Sequence, residues 1–394
     1  MQNIQISLPQ KQSPSLYLLL VFLIMASSSI VLIEPAPVDL GIAFLLATGI
    51  LFQRLKFSYA NLTAGVIFLY LFTLASLISM FGLTHATLGV RDFAITFYLI
   101  LSWFLFIGII EMYGEKAIKT LLYGYAIAAI FSAVIGILTF FNIIPWQDIL
   151  MKFSRVKGLF KDPNVFGPFL IPIAIYAYSL LEKPGEKKKL LWMTVLLILF
   201  IGIFLSFSRA AWGNLLLTML VYSGLRFLLE PSLKIIGRFL LTAVLLFGVL
   251  YSVLSIPLVN DMFHERFDYQ YYDNDRFSNQ AVAVGVGTSN PLGIGPGQYE
   301  EIIGYATHNT FLRVLSENGI IGFIGYTGFL IATLYRSIQL VLVTKNHFHI
   351  VIFACAIGLL FNGLVVDTLH WRHFWFIFAI PWAFPLPNKK LRKS

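Results

Sequence analysis

The sequence predicts an all-α fold: a polytopic transmembrane helical bundle of about 12 spans with one large extracytoplasmic loop. Three observations predict it. Of the 394 residues, 58% are hydrophobic and only 12% are charged, a balance that no water-soluble domain of this length hides in one core. The apolar residues gather in runs close to the roughly 20 residues that cross a bilayer. The cations lie in short clusters between those runs, as expected where Lys and Arg set membrane orientation.

The runs fall at 16–33, 37–53, 58–82, 93–113, 117–144, 164–182, 190–206, 210–229, 235–256, 317–344, 348–368 and 373–387. The first follows a nearly uncharged N-terminus and lacks a small-residue cleavage site, which predicts an uncleaved helix and not a removed signal peptide. An even number of spans with the N-terminus inside places both termini in the cytoplasm. The cytoplasmic segments then hold 18 of the 28 Lys and Arg residues, including Lys187 to Lys189 and the tail Lys389, Lys390, Arg392 and Lys393. The others are Arg91, Lys152, Arg155, Lys157, Lys161, Arg209, Arg266, Arg276, Arg313 and Arg372. They would lie outside, where cations have no orientation role and a charge at membrane depth is costly.

By this reading residues 1–256 hold nine spans with a basic outer connection at 145–163, and residues 317–394 hold three spans and a basic cytoplasmic tail. Between them, 257–316 is the one stretch large enough for a small extracytoplasmic subdomain. The net charge of +9 does not point to nucleic acid, because the cations form no continuous stripe. Cys355 is the single cysteine, so no internal disulfide or cysteine-based metal cage is available. There is no Walker motif, no GxGxxG between strand and helix and no HExxH, which leaves nucleotide-driven pumping and zinc proteolysis without support.

Four segments carry chemistry. In Gly158-Leu-Phe-Lys-Asp-Pro-Asn164, the Asp162-Pro-Asn164 turn places Asn164 near a helix start. Lys152, Arg155, Lys157 and Lys161 surround it and fit two roles, contact with lipid headgroups or attraction of an anionic lipid pyrophosphate. Ser206-Phe-Ser208-Arg209 interrupts two apolar runs. Its arginine either faces a cavity and forks onto phosphate or snorkels from a helix end. In the large connection, Asp275-Arg276 precedes Asn290-Pro-Leu-Gly293-Ile-Gly295-Pro-Gly297-Gln-Tyr299; glycines so placed make tight turns, or an anion-binding concavity of backbone N–H groups. Asp273-Asn274-Asp275 matches an acid-x-acid metal pattern that also recurs by chance, and no metal is expected there. Last comes His308-Asn309, then nine residues, then Gly319-Ile-Ile-Gly322. An imidazole accepts a proton from an attacking hydroxyl near neutral pH or serves structure alone, and Gly319 and Gly322 would let helices approach closely. Tyr269, Tyr271, Tyr272 and Tyr299 are placed either to stack on sugars or to anchor at the membrane interface.

Together these segments, from Gly158 to Gly322, resemble the superfamily of O-antigen ligases and O-antigen polymerases. The spacing from His308-Asn309 to Gly319-x-x-Gly322 is similar to the ligase signature. The resemblance implies an all-helical fold of the membrane glycosyltransferase type in the bacterial inner membrane, with its site on the periplasmic side. It implies a glycan donor on undecaprenyl pyrophosphate, an acceptor such as lipid A-core, inverting transfer and no cofactor or metal. Carried over, Arg209 and Arg276 hold the pyrophosphate, with Lys161 and Arg155 contributing, and His308 readies the acceptor. Asn164, Ser208, Asn309, Gly295, Gly297, Gly319 and Gly322 support them, and Arg266 competes with Arg276. A polymerase joining lipid-linked repeats is the alternative within the superfamily. A polysaccharide flippase is the alternative outside it, though paired halves with matching broken helices are not evident in the sequence.

Overall fold

In the computed structural model the described residues are 16–183, 185–267 and 271–386, with the side chains of 267 and 271–277 outside that description. Lys11 and the cationic tail Lys389, Lys390, Arg392 and Lys393 also fall outside it. The chain is an all-α polytopic membrane protein. In chain order the helices are α1 (Leu16–Ala26), α2 (Pro37–Leu51), α3 (Tyr59–Ser79), α4 (Ala86–Tyr113), α5 (Glu115–Phe140), α6 (Gln147–Leu150), α7 (Pro163–Glu182) and α8 (Lys189–Leu205). They continue as α9 (Arg209–Leu229), α10 (Leu233–Leu254), α11 (Pro257–Phe267), α12 (Tyr271–Ser289), α13 (Tyr299–Ile303), α14 (Thr310–Thr344), α15 (His347–Val365) and α16 (Arg372–Ala379). A two-residue antiparallel ribbon joins β1 (Met151–Lys152) to β2 (Arg155–Val156). Among the described residues eight helices are long and apolar enough to cross a membrane, and α1, α2 and α8 are shorter apolar helices.

Each of the twelve apolar runs therefore contains a helix. The connection 257–316, expected as an extracytoplasmic loop or small subdomain, contributes α11, α12, α13 and the first turns of α14. Its low apolar content hides helices that need not cross a membrane, and Thr310 rather than residue 317 opens α14. Asn309 explains that start, because its Oδ1 accepts the Leu312 N–H at 3.1 Å, as an N-cap does for otherwise orphaned donors. Other ends are set the same way. Asp162 accepts from Asn164 N at 2.9 Å ahead of Pro163, the N1 position where proline loses nothing. Ser208 accepts from Ala211 N at 3.3 Å at the start of α9.

The chain divides into two compact units. The first comprises Met1–Leu55, Met112–Asp268 and Val341–Gly358; the second comprises Lys56–Glu111, Tyr269–Leu340 and Leu359–Ser394. In the first, small residues set the spacing. A Cβ on Gly124 of α5 would come within 2.7 Å of the Phe22 carbonyl of α1, and one on Gly202 of α8 within 3.1 Å of Ala133 of α5. In apolar solvent such close backbone approach replaces the hydrophobic drive available in water.

The second unit has an aromatic core. Trp103 lies 5.7 Å from Phe329 and 5.7 Å from Trp382, while Phe329 stacks on Trp375 at 5.9 Å. Each buried indole N–H has an acceptor: the Phe378 carbonyl for Trp103, Leu369 for Trp375 and the Thr333 hydroxyl for Trp382. Buried tryptophans need these partners to avoid an orphaned donor.

One joint of this unit is made by backbone alone. Gly319 breaks α14 with φ 70° and ψ −172°, so it supplies a left-handed residue rather than the helix-to-helix approach expected of it. The Gly-rich segment docks into the break: Ile294 N donates to Ser316 O at 3.0 Å, Gly295 N to Glu317 O at 2.9 Å and Ile320 N to Pro291 O at 2.9 Å. A Cβ on Gly293, at φ 85°, would collide with the Glu317 carbonyl, and one on Gly319 with Pro291. Gly293→Ala should therefore cost more stability in detergent than Gly304→Ala, whose φ of 80° is similar but whose Cβ meets nothing within 4 Å. The latter costs about 1–2 kcal/mol for its left-handed backbone; equal thermal shifts for the two variants would count against the docking.

Candidate functional site

The sequence-derived residues fall into two groups, one in each unit. In the first unit the basic connection is built on the ribbon β1–β2 and the cap of α7. Lys152 pairs with Asp162 at 2.9 Å and Lys161 with Glu34 at 2.8 Å, so two of the four cations read as a positive field are already neutralised. Burial, followed by the Lys152 charge, pushes the Lys157 ammonium below its usual value. Arg155 is 9% exposed and turns inward. Its Nε donates to the Ser206 carbonyl at 2.9 Å and an NH2 to Asn164 Oδ1 at 2.9 Å. The same Asn164 oxygen accepts from Ser208 Oγ at 2.8 Å.

Arg209 follows as the first residue of α9 and is exposed. Its charge adds to the positive end of the helix dipole, which makes this point attractive to an anion. Asn164, Ser208 and Arg155 are thus brought together beside Arg209, as their sequence positions alone did not require. Arg266 lies in the last turn of α11. Arg276 falls in α12, and its side chain lies outside the described residues, as do those of Asp273, Asp275, Tyr271 and Tyr272; Tyr269 lies outside them altogether.

In the second unit His308 has φ 48°, uncommon for a residue with a side chain. It is half-buried with its ring 5.8 Å from Tyr305 in a T-shaped contact. The residues after it are anchored to the last turn of α15 and the connection that follows. Asn309 Nδ2 donates to Leu364 O at 3.0 Å, and Thr368 N donates to Thr310 Oγ1 at 2.7 Å. Gly297 N and Tyr299 N both donate to the Glu317 carboxylate, at 3.0 and 3.2 Å, so the Gly-rich segment does present backbone N–H groups to an anion, and that anion is the protein's own. Tyr299 is 1% exposed with its hydroxyl on the Asn279 carbonyl at 3.0 Å. It belongs to the interior and is not a platform for sugars. Gly322 keeps the approach expected of it, its Cβ position lying 3.4 Å from Ala75 of α3.

The feature that sequence reasoning missed is Arg313. Its guanidinium reaches three carboxylates: Asp92 of α4 at 2.6 Å, Glu317 one turn on at 3.0 Å, and Asp367. His370 stands 3.9 Å from Asp92 and bonds Thr96 at 2.9 Å. Burial raises the Asp367 carboxyl, but the Arg313 charge, then His370 and the Leu369 N–H outweigh it and hold it below the usual carboxylate range. The i, i+4 spacing of Arg313 and Glu317 was readable; Asp92 and Asp367 are too distant in sequence to suggest the rest.

Residues 194–327 match the family model described as O-antigen ligase. That stretch contains Arg209, Arg266, Arg276, His308, Asn309, Arg313, Glu317, Gly319 and Gly322, and omits Arg155, Lys161, Asn164, Asp92 and Asp367. No curated protein matches the chain.

Two outcomes follow for the Arg313 network. Arg313→Met leaves three carboxylates without their counter-ion and should cost about 3–5 kcal/mol of stability in detergent, the range for breaking a buried pair; a change under about 1 kcal/mol would make the network a surface feature. Asp367 has its folded pKa lowered from 3.8, so its stabilisation is complete above about pH 4 and lost as pH falls through the folded value. The stability advantage of the wild type over Asp367→Asn should be constant above that pH and shrink below it; an advantage that grows on acidification would contradict the assignment.

Proposed function

We propose that the chain, whose residues 194–327 match the family model described as O-antigen ligase, transfers a glycan from undecaprenyl pyrophosphate to a surface acceptor such as lipid A-core. Transfer takes place at the periplasmic face of the bacterial inner membrane, with both chain termini cytoplasmic. The observation that carries the reading is the match of residues 194–327 to the O-antigen ligase family model.

The chemistry asks for two things. The acceptor hydroxyl attacks the anomeric carbon with inversion, forming the new C–O bond and giving up its proton. The bond from that carbon to the pyrophosphate breaks, and the electron pair leaves with undecaprenyl pyrophosphate. His308 takes the proton as general base. Arg209 meets the charge that builds on the leaving group, where a positioned guanidinium stabilises it. Arg276, or Arg266 in its place, adds a second cation, and Arg155 contributes to the field that draws the donor. No cofactor or metal is called for, because the departing group is anionic already and the cations are supplied by side chains.

His308→Ala and Arg209→Ala should each reduce transfer at least about 100-fold, the usual weight of a general acid–base or charge-stabilising group, while membrane insertion and thermal stability stay near wild type. Purified protein in proteoliposomes with lipid-linked glycan and acceptor reads this directly, and chelator should leave the rate unchanged. Full activity in both variants would remove the assignment. A product made of joined lipid-linked repeats would replace ligation by polymerisation; movement of intact donor with no new glycosidic bond would replace transfer by transport.

A further inference from the structure

Arg155 is committed to the protein in a way that a direct ligand of the donor would not be. One bidentate edge of its fork, Nε with an NH2 group, is the kind of edge that grips phosphate, and here it is occupied by two neutral acceptors, the Ser206 carbonyl and Asn164 Oδ1. Ser206 closes α8, where helix carbonyls run out of donors and a cation is favourable. From Asn164 Oδ1 the chain of bonds continues to Ser208 Oγ at 2.8 Å and from there to Ala211 N at 3.3 Å. It therefore ends in the first turn of α9, whose first residue is Arg209.

The turn it holds is one the backbone does not favour. Phe207 has φ 44°, a left-handed conformation that a residue with a Cβ disfavours. Its ring is 1% exposed, seated against Phe204 at 5.8 Å and Trp212 at 6.3 Å. Gly167 of α7 lies so close that a Cβ there would be 2.8 Å from Ser206 Oγ and 2.6 Å from Ala211. Packing fixes one side of the turn and Arg155 fixes the other.

We propose that Arg155 is a positioning residue: it locks the Ser206–Ser208 turn and so aims Arg209, instead of itself meeting the diphosphate. This rests on the reading of Arg209 given above. Asn164→Ala and Ser208→Ala keep every cation yet cut the link, and each should reproduce the Arg155→Ala defect: kcat down about 10- to 100-fold, as for a misplaced catalytic group, with donor KM changed little. Because the three residues form one link, Arg155→Ala combined with Asn164→Ala should be no worse than either alone. If Arg155→Ala fails to accumulate, the Asn164→Ala and Ser208→Ala pair carries the same test. Near-wild-type kcat in those two variants while Arg209→Ala is inactive overturns the inference alone, as do multiplied losses with a raised donor KM in Arg155→Ala. Wild-type activity in Arg209→Ala overturns instead the reading on which it rests.

Discussion

Lipid offers no hydrogen bond, and this constraint governs where polar residues sit. Inside a helix each backbone group is satisfied locally; where a helix stops at membrane depth, its carbonyls and amides need partners from the protein. The breaks between α8 and α9 and within α14 are two places where the protein supplies such partners. At the first, Arg155, Asn164 and Ser208 supply the partners. At the second, the segment 291–295 supplies them from its own backbone. Of the residues proposed for catalysis, Arg209 directly follows the first break and His308 precedes Gly319 by eleven residues.

The two breaks are stabilised by different physics. Side chains bridge the first, so its geometry rests on a chain of bonds that single substitutions interrupt. The second adds charge: Glu317 accepts two N–H groups of the 297–299 segment and also Arg313. One guanidinium serving three carboxylates leaves the group short of positive charge, and its partly buried position makes that imbalance expensive to disturb. His370 stands beside Asp92 at 3.9 Å.

The fold was largely legible because membrane helices declare themselves by composition. All twelve apolar runs contain helices, and Asp162-Pro-Asn164 opens α7 as its residue types suggest. The helices of 257–316 were not legible, since α11 and α12 lack the apolar length by which spans are recognised. The candidate site was legible in part. Arg209 stands out as a charge in a short polar break between two apolar runs, and His308 as an imidazole shortly before another. Arg155 looked like one more surface cation, and nothing in local spacing indicates that its guanidinium turns inward. Asp92, Arg313 and Asp367 come from three distant stretches, and only the fold makes them one network. Lys152 and Lys161 looked available for a ligand until Asp162 and Glu34 were found against them.

The backbone joint between Gly293 and Gly319 has a consequence for heredity. Because each residue occupies the space where the other's side chain would stand, neither position can drift by itself. A lineage that lost one glycine would have to rebuild the opposite segment in the same step, so any two relatives that keep this joint should be identical at both places even where their glycans and acceptors have nothing in common.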